Sequence, residues 1–269
     1  VNSDGNPLPI PQNPLPNKVI GFRGIKIAYI DHNVIAFLRR FHRIFAVYST
    51  ELDITTGNER ILKFVLLNFW PILRHSIHVM FLNSIVFRCL RQLAPSLLNE
   101  CPSLCCVFFD GAILPAFPPD DSANASDGQA VTKWLFTPRP DGLPKVLSLV
   151  NSSVGQWSST IELIKTAFSN ASSPVPFCIY FLMSSPLDFI VPFDLINEVT
   201  GEELALIQSS ANDFWLIRFQ IGWDERKWDN VKDKLKNRTN PIVIRIKDGG
   251  FDDGLLDDAS PGPNDQQQK

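Results

Sequence analysis

The chain has 269 residues, of which 45% are hydrophobic and 20% are charged, so it is long and apolar enough to bury the core of one large domain or two small ones. Its 25 basic and 28 acidic residues give a formal net charge of −3, which argues against nucleic acid or an anionic membrane surface as a partner. The densest apolar run, at 61–73, is shorter than the ~20 apolar residues that a membrane-spanning helix needs.

The two ends of the chain have compositions that are typical of segments outside a core. Residues 1–17 contain five prolines and lack the basic-then-apolar pattern of a secretory signal, so we interpret them as an extended linker to a further N-terminal module. Residues 249–269 combine acidic residues with Gly, Pro and Gln. This composition cannot bury enough apolar area to fold, and it predicts a disordered acidic tail.

Residues 18–190 alternate short β-rich runs with segments of helical period. The spacing between successive strand centres ranges from 25 to 41 residues, with the centres at Ile27, Ile54, Val79, Cys106, Leu147 and Phe177. Units of about this length, with one strand and one helix each, are typical of leucine-rich-repeat-like solenoids. The pattern therefore predicts an α/β fold in which such β/α units form a largely parallel sheet.

The boundaries between strands and helices carry capping residues. Asp31 follows the run IKIAYI and Asn83 follows IHVMFL, and each can accept a hydrogen bond from the first turn of the next helix. In the helix after Asp31, an apolar face is formed by Val34, Phe37, Leu38, Phe41 and Phe45. The opposite face carries Arg39, Arg40 and Arg43, either as a solvated face or as a basic docking patch.

The long fourth interval contains an insertion, GAILPAFPPDDSANAS at 111–126, which we expect on the surface. Residues 191–248 have a different pattern. The runs FDLINEV, ELALIQ and FWLIRFQI are joined by short polar turns, which predicts an antiparallel β-meander. A polar helix, DERKWDNVKDKLKN, and a final strand, IVIRIKD at 242–248, follow it.

The sequence carries no established motif of a catalytic or cofactor site: G-x-S-x-G, G-x-G-x-x-G, the phosphate-binding loop and H-E-x-x-H are all missing. A zinc site could be drawn from His75, His78, Cys101, Cys105 and Cys106, but their spacing is a poor match to known zinc sites. We therefore expect no metal, no cofactor and no catalysis.

The cysteine content bears on the compartment. Five cysteines are an odd number, thinly spread over a chain that does not need disulfides to fold, which favours a cytoplasmic or nuclear protein. Secretion is the alternative, because four N-x-[ST] sequons are present, at Asn124, Asn151, Asn170 and Asn237.

Strand alternation indicates one candidate binding surface. If Leu52 and Ile54 point into the core, the neighbouring strand residues point outward, and the same alternation is assumed to leave Val79 and Phe81 inside. The outward set, which we predict to be an exposed sheet face that binds a protein, consists of Lys26, Glu51, Asp53, His78, Met80 and Ser148. The alternative is an ordinary solvated or covered sheet surface.

Four segments carry a family resemblance: PLPNKVIGF at 14–22, DDSANAS at 120–126, KWLFTPRPDGLPK at 133–145 and VTGEEL at 199–204. They resemble the F-box-domain proteins of plant-parasitic cyst nematodes over nearly the whole chain, and the run at 133–145 is the most specific part. The sequence departs from the family pattern at Pro140, where relatives carry Gly, and at Cys105–Cys106, where relatives carry a basic and an aliphatic residue.

The resemblance implies that an F-box, absent from this chain, docks on a Skp-type adaptor of a cullin ubiquitin ligase. The remainder would recruit a target through the exposed sheet face or the segment at 111–128. We therefore expect a non-catalytic protein-interaction module. Two alternatives remain open: a secreted effector that binds a host protein, and an α/β enzyme with an unrecognised site.

Overall fold

The computed structural model describes residues 25–45, 49–111, 113–152, 157–183, 191–222, 242–252 and 254–255. Their strands form one sheet: β1 Ile25–Ile27, β2 Thr50–Ile54, β3 Ile77–Asn83, β4 Cys106–Asp110, β5 Lys145–Ser152, β6 Phe177–Met183, β7 Phe193–Asn197, β8 Glu202–Gln208, β9 Asp213–Gln220 and β10 Ile242–Ile246. The spatial order is β1-β10-β2-β3-β4-β5-β6-β9-β8-β7.

The sheet has a parallel part and an antiparallel part. Neighbouring strands run parallel from β1 across to β6, and β9, β8 and β7 then continue the sheet in antiparallel pairs. The predicted α/β class, the largely parallel sheet and the antiparallel group after it are confirmed. The final strand β10 lies between β1 and β2, a position that its place in the sequence does not indicate. The helix predicted at 224–237 lies outside the described residues.

The described helices connect the parallel strands: α1 His32–Phe45, α2 Glu59–Asn68, α3 Trp70–Leu73, α4 Ser84–Leu93, α5 Asp127–Leu135 and α6 Trp157–Ser169. Asp31 and Asn83 cap α1 and α4 as predicted, because their Oδ1 atoms accept hydrogen bonds from the backbone N–H groups of Val34 and Val86, each at 2.8 Å. On α1, Val34, Phe37 and Leu38 are buried and Arg39 and Arg40 are exposed.

All of these helices pack on the same face of the sheet. Their buried residues belong to one hydrophobic cluster, which also contains strand residues such as Leu52, Leu147 and Phe181. A second, smaller cluster lies on the opposite face and contains no described helix residue; its buried members are Cys106, Val146, Cys178 and Ile217. The parallel sheet is therefore covered by described helices on one side only.

A β-bulge changes the alternation in β3. Thr50 pairs with Ile77, but the next residue, Glu51, pairs with Val79, so His78 is an extra residue in the ladder. As a result Ile77 and Met80 both lie in the main core. The prediction that Met80 points outward while Val79 and Phe81 point inward was wrong, because strict alternation does not hold across a bulge.

Cys106, the predicted centre of β4, points away from the described helices. Val107 and Phe109 of β4 lie in the main core, whereas Cys106 belongs to the small cluster on the other face. The run LCCVFF is apolar at every position, so it carries no alternation from which the two faces could be told apart.

Two segments that we expected outside the core contribute to it. In the insertion, Ile113 is buried in the main core and the ring of Phe117 packs edge-on against Phe136, while residues 118–119 and 122–124 are exposed. Beyond the predicted start of the tail at residue 249, Phe251 bridges to Ile30, and Phe251 and Leu255 are buried. The core therefore extends past that boundary.

A buried ion pair ties the antiparallel strands to the helix layer. The Arg218 guanidinium on β9 donates two hydrogen bonds to Glu202 Oε2 on β8, from Nε at 2.9 Å and from Nη2 at 2.6 Å. The same Nη2 donates to the Ser173 carbonyl, and Glu202 Oε1 accepts from the N–H of Val175. The arginine also lies over the Phe168 ring of α6. Because both charges are almost fully buried, each depends on the other for its compensation.

We predict that Arg218→Leu lowers the free energy of unfolding by about 3–5 kcal/mol, because it leaves the Glu202 carboxylate buried without its cation. The double variant with Glu202→Leu should recover part of this loss, since both charges are then removed. Urea unfolding measures both. As a control, Glu59→Gln removes an exposed pair with Lys63 and should leave the unfolding midpoint unchanged. Equal midpoints for Arg218→Leu and the control would contradict the prediction.

Candidate functional site

The face of the sheet opposite the described helices presents two rows of side chains, which we call the outer face. From β10 to β8, the first row consists of Arg245, Asp53, Phe81, Phe108, Ser148, Tyr180, Trp215 and Ile207. From β1 to β7, the second row consists of Lys26, Val243, Glu51, Val79, Cys106, Val146, Cys178, Ile217, Ala205 and Asp194. Each row crosses the sheet at one level, because paired residues of neighbouring strands point to the same face.

The middle of the outer face is apolar and aromatic. Phe81 and Phe108 stack with their ring centroids 4.5 Å apart and their planes at 8°. Tyr180 and Trp215 lie 4.7 Å apart at a tilted angle. All four side chains are half-buried, so part of each ring remains accessible. Half-accessible aromatic side chains of this kind are enriched at protein–protein interfaces.

One end of the outer face is charged. Lys26 is exposed, and Glu51 and Asp53 are half-buried. Arg245 Nε lies 3.5 Å from the Asp53 carboxylate. Burial raises the pKa of Asp53, and the neighbouring charge of Glu51 adds to this effect, whereas the Arg245 guanidinium acts in the opposite direction. The outer face thus combines an aromatic centre with a flank that carries both signs of charge.

The structure places the six residues of the predicted binding set in different environments. Lys26, Glu51 and Asp53 lie on the outer face. Ser148 lies on the same face, but only 2% of it is exposed, so it is not an accessible contact. The side chain of His78 at the bulge is half-buried, with Nδ1 2.7 Å from the Ser76 carbonyl oxygen. Met80 has no exposed surface and belongs to the helix-side core, so including it in the exposed face was wrong.

Sequence reasoning missed the aromatic residues of the outer face: Phe81, Phe108, Tyr180 and Trp215. Strand β6, FCIYFLM, is apolar throughout, and strand β9, DFWLIRFQ, contains the unbroken apolar run FWLI. Such runs indicate strands that have apolar surroundings on both faces. That signal pointed to an apolar outer face, although it could not show which residues point there.

A cleft of about 390 Å³ opens on the outer face at the carboxyl ends of β2, β3 and β4, and we call it the carboxyl-edge cleft. The polar residues that line it include Asp53, Thr55, Asn83 and Asp110, and the aromatic ones include Phe81 and Phe108. Two of these polar groups have structural roles: Asn83 Oδ1 caps α4, and the Thr55 hydroxyl donates to the Ile246 carbonyl. The carboxylates of Asp53 and Asp110 are its charged groups.

A larger cleft, of about 860 Å³, lies between α4, α5, α6 and the insertion. Its most buried charge is Arg91, whose Nη1 donates to the Ala125 carbonyl and to the Asp127 carboxylate at 2.9 and 3.0 Å. Nη2 of the same residue donates to the Ser122 carbonyl at 3.0 Å. Arg91 therefore fastens the insertion to α4 and is occupied by contacts within the chain.

The run at 133–145, the most specific part of the family resemblance, has a structural role. Lys145 Nζ donates to the Trp134 carbonyl at 2.6 Å and lies 5.1 Å from the centroid of the Trp134 ring. Arg139 pairs with Asp141 through two nitrogens. Burial lowers the pKa of Lys145 to about 8, and the nearby charge of Arg139 contributes to the shift. These contacts hold the end of α5 against the start of β5.

Within the described part of the chain, no group of three or more His, Cys, Asp or Glu residues is arranged to hold a metal ion. The five cysteines are free thiols. Burial raises the pKa of Cys101, which disfavours the thiolate form that a metal ligand needs. None of the helices in the described ranges combines the length and hydropathy needed to cross a membrane.

Comparisons with protein-family models, with curated proteins and with solved structures found no match for this chain. The geometry of the outer face and the resemblance carried by the sequence are therefore the observations that bear on function.

The buried amine of Lys145 predicts a pH dependence of stability. The folded-state pKa of about 8 lies below the ordinary lysine value of 10.5, so between these two pH values the unfolded chain binds more protons at this site than the folded chain does. The free energy of unfolding of the native chain should therefore rise relative to Lys145→Met as the pH increases from 8 to 10.5. Over this pH range, the difference between the two free energies of unfolding should change by about 3 kcal/mol.

Urea unfolding of both proteins across pH 7–10.5 measures this difference directly. Comparison with the variant cancels the effect of other groups, such as Tyr180, whose pKa burial raises to about 12. A difference that stays constant over the whole range would contradict the prediction.

Proposed function

We propose that the chain is a non-catalytic protein-interaction module, the target-recruiting region of an F-box-type ubiquitin ligase subunit. The observation that supports this best is the outer face. It carries half-buried aromatic rings in its middle and accessible charges at one end, and no described helix covers it. Aromatic centres with polar rims are the usual composition of surfaces that bind proteins.

The arrangement of the units supports a leucine-rich-repeat-like fold as part of this proposal. From β2 to β6, strands that follow one another in the chain are neighbours in the sheet, and the helices between them pack on one side. In repeat folds of this kind the strand surface commonly binds a partner, because successive strands present their side chains next to each other.

The assignment to a ubiquitin ligase rests on the resemblance to cyst-nematode F-box proteins. A Skp-type adaptor and a cullin would be recruited through an F-box outside this chain, and bond formation would belong to those partners. A cytoplasmic or nuclear location follows from this role. The buried charged groups described above agree with a non-catalytic role, since Arg91, Lys145 and the Glu202–Arg218 pair all make structural contacts.

A secreted effector that binds a host protein is the second candidate. Asn124 and Asn170 each begin an N-x-S sequon, and both residues are exposed, so they would be accessible to glycosylation in a secretory compartment. Glycans on these residues in the native protein would favour this candidate over the ligase subunit.

Affinity capture of the natural full-length protein from its own cells tests the proposal. We expect recovery of a Skp-type adaptor, a cullin and at least one target. Glu51→Arg reverses a charge on the outer face and should reduce recovery of the target by about tenfold, without affecting the adaptor. Glu59→Arg makes the same change on the helix side and serves as the matched control. Absence of the adaptor and cullin would contradict the ligase role.

If Glu51→Arg and Glu59→Arg recover the target equally well, the outer face is not the recruiting surface. The segment at 111–128, which lines the larger cleft, would then be the candidate recruiting surface.

A further inference from the structure

We propose that the recruited protein places an arginine side chain in the carboxyl-edge cleft, where it pairs with Asp110 and Asp53 and packs on Phe81 and Phe108. This inference rests on the proposed function, since it assigns the chemistry of the partner at one part of the outer face.

The first support is the charge of the cleft. Asp110 is exposed at the end of β4, and Asp53 lies on β2 with 26% of its side chain exposed. The two strands flank β3, and Asp110 lies two residues beyond the level of Asp53, so their Cα atoms are about 12 Å apart. A planar guanidinium carries N–H donors on several sides, so it can reach carboxylates that approach it from different strands.

The second support is the aromatic pair beside the carboxylates. Phe81 lies on β3, and Phe108 lies on β4, the strand that ends at Asp110. Both pair at the same level as Asp53, and both are partly accessible. The aliphatic stem of an arginine can pack on these rings while its charged end reaches the carboxylates. A cation near the rings gains a further modest attraction. A neutral side chain would lack the attraction to the carboxylates, and an anionic side chain would be repelled by them.

The third support is the partial burial of Asp53. Its pKa is raised mainly because burial disfavours its charge, although Arg245 lies nearby. A second cation placed beside it would compensate that cost. Arg245 pairs with Asp53 from the β10 side, so the incoming guanidinium would approach Asp53 from the side of β3.

The test uses a blocked tri-arginine peptide and its tri-citrulline counterpart, in which each guanidinium is replaced by a neutral group of the same shape. Both are titrated into the full chain labelled with ¹⁵N, and backbone amide shifts are followed by NMR. We expect saturable shifts centred on residues 108–110 with the arginine peptide, with a dissociation constant on the order of 1 mM. The citrulline peptide should produce none.

Asp110→Asn should weaken binding of the arginine peptide by about fivefold. The matched control is Asp194→Asn, which removes the same charge from an exposed residue at the far end of the outer face and should leave binding unchanged. Asp53→Asn provides a second variant within the cleft. The NMR spectrum of each variant also reports whether it is folded.

Three results would overturn the inference: equal shifts with citrulline, shifts centred outside the cleft, or equal effects of Asp110→Asn and Asp194→Asn. Its failure can be distinguished from failure of the proposed function. If the peptide does not bind but Glu51→Arg still reduces target capture, the outer face recruits a target by other contacts. If the peptide binds but no adaptor or cullin is recovered, the cleft chemistry holds and the ligase role does not.

Discussion

The parallel hydrogen-bonded ladder from β1 to β6 determines which side chains meet the helices and which form the outer face. Each strand directs alternate residues to opposite sides, and the helices between the strands lie on one of those sides. The apolar residues on the other side, such as Phe108 and Trp215, consequently receive no cover from a described helix. The proposed function depends on this asymmetry, since a sheet that the described helices cover on one side only presents an apolar surface for contact with another molecule.

The buried charged groups of this framework are matched by contacts within the chain. Arg91 donates to the carbonyl oxygens of Ala125 and Ser122 and to the Asp127 carboxylate, and Arg218 pairs with Glu202. Lys145 donates to the end of α5. In each case a charged side chain connects a loop, or the end of a helix, to a neighbouring helix or strand. Polar groups of this type add specificity to a fold when every donor finds an acceptor.

Much of the fold could be predicted from the sequence. The alternation of strands and helices, the caps Asp31 and Asn83 and the antiparallel group after residue 191 follow from local patterns, which depend on residues close together in the chain. The position of β10 between β1 and β2 could not be predicted, because it depends on pairing between residues about 190 positions apart in the sequence, such as Glu51 and Val243.

The candidate site could be predicted only in part, because the direction of a strand side chain can be inferred only where polar and apolar residues alternate. Where a strand alternates between polar and apolar residues, as in TELDI, the outward residues Glu51 and Asp53 were identified correctly. In β3 the bulge at His78 shifts the alternation by one residue, so Met80 was predicted on the wrong face of the sheet. Phe108 lies in the unbroken apolar run CVFF of β4 and Trp215 in the run FWLI of β9, so no pattern distinguished them from the core residues beside them.

Hydroxyl-radical footprinting of the chain tests most directly the central claim, that the outer face is accessible and that the described helices cover only the opposite side of the sheet. Phe81, Phe108 and Trp215 on the outer face should be oxidised much faster than Phe87, Phe109 and Trp134 on the helix side, of which at most 1% is exposed. Addition of the recruited target should slow oxidation of the outer-face group alone. If both groups were protected equally in the free protein, the outer face would not be accessible and the account would be contradicted.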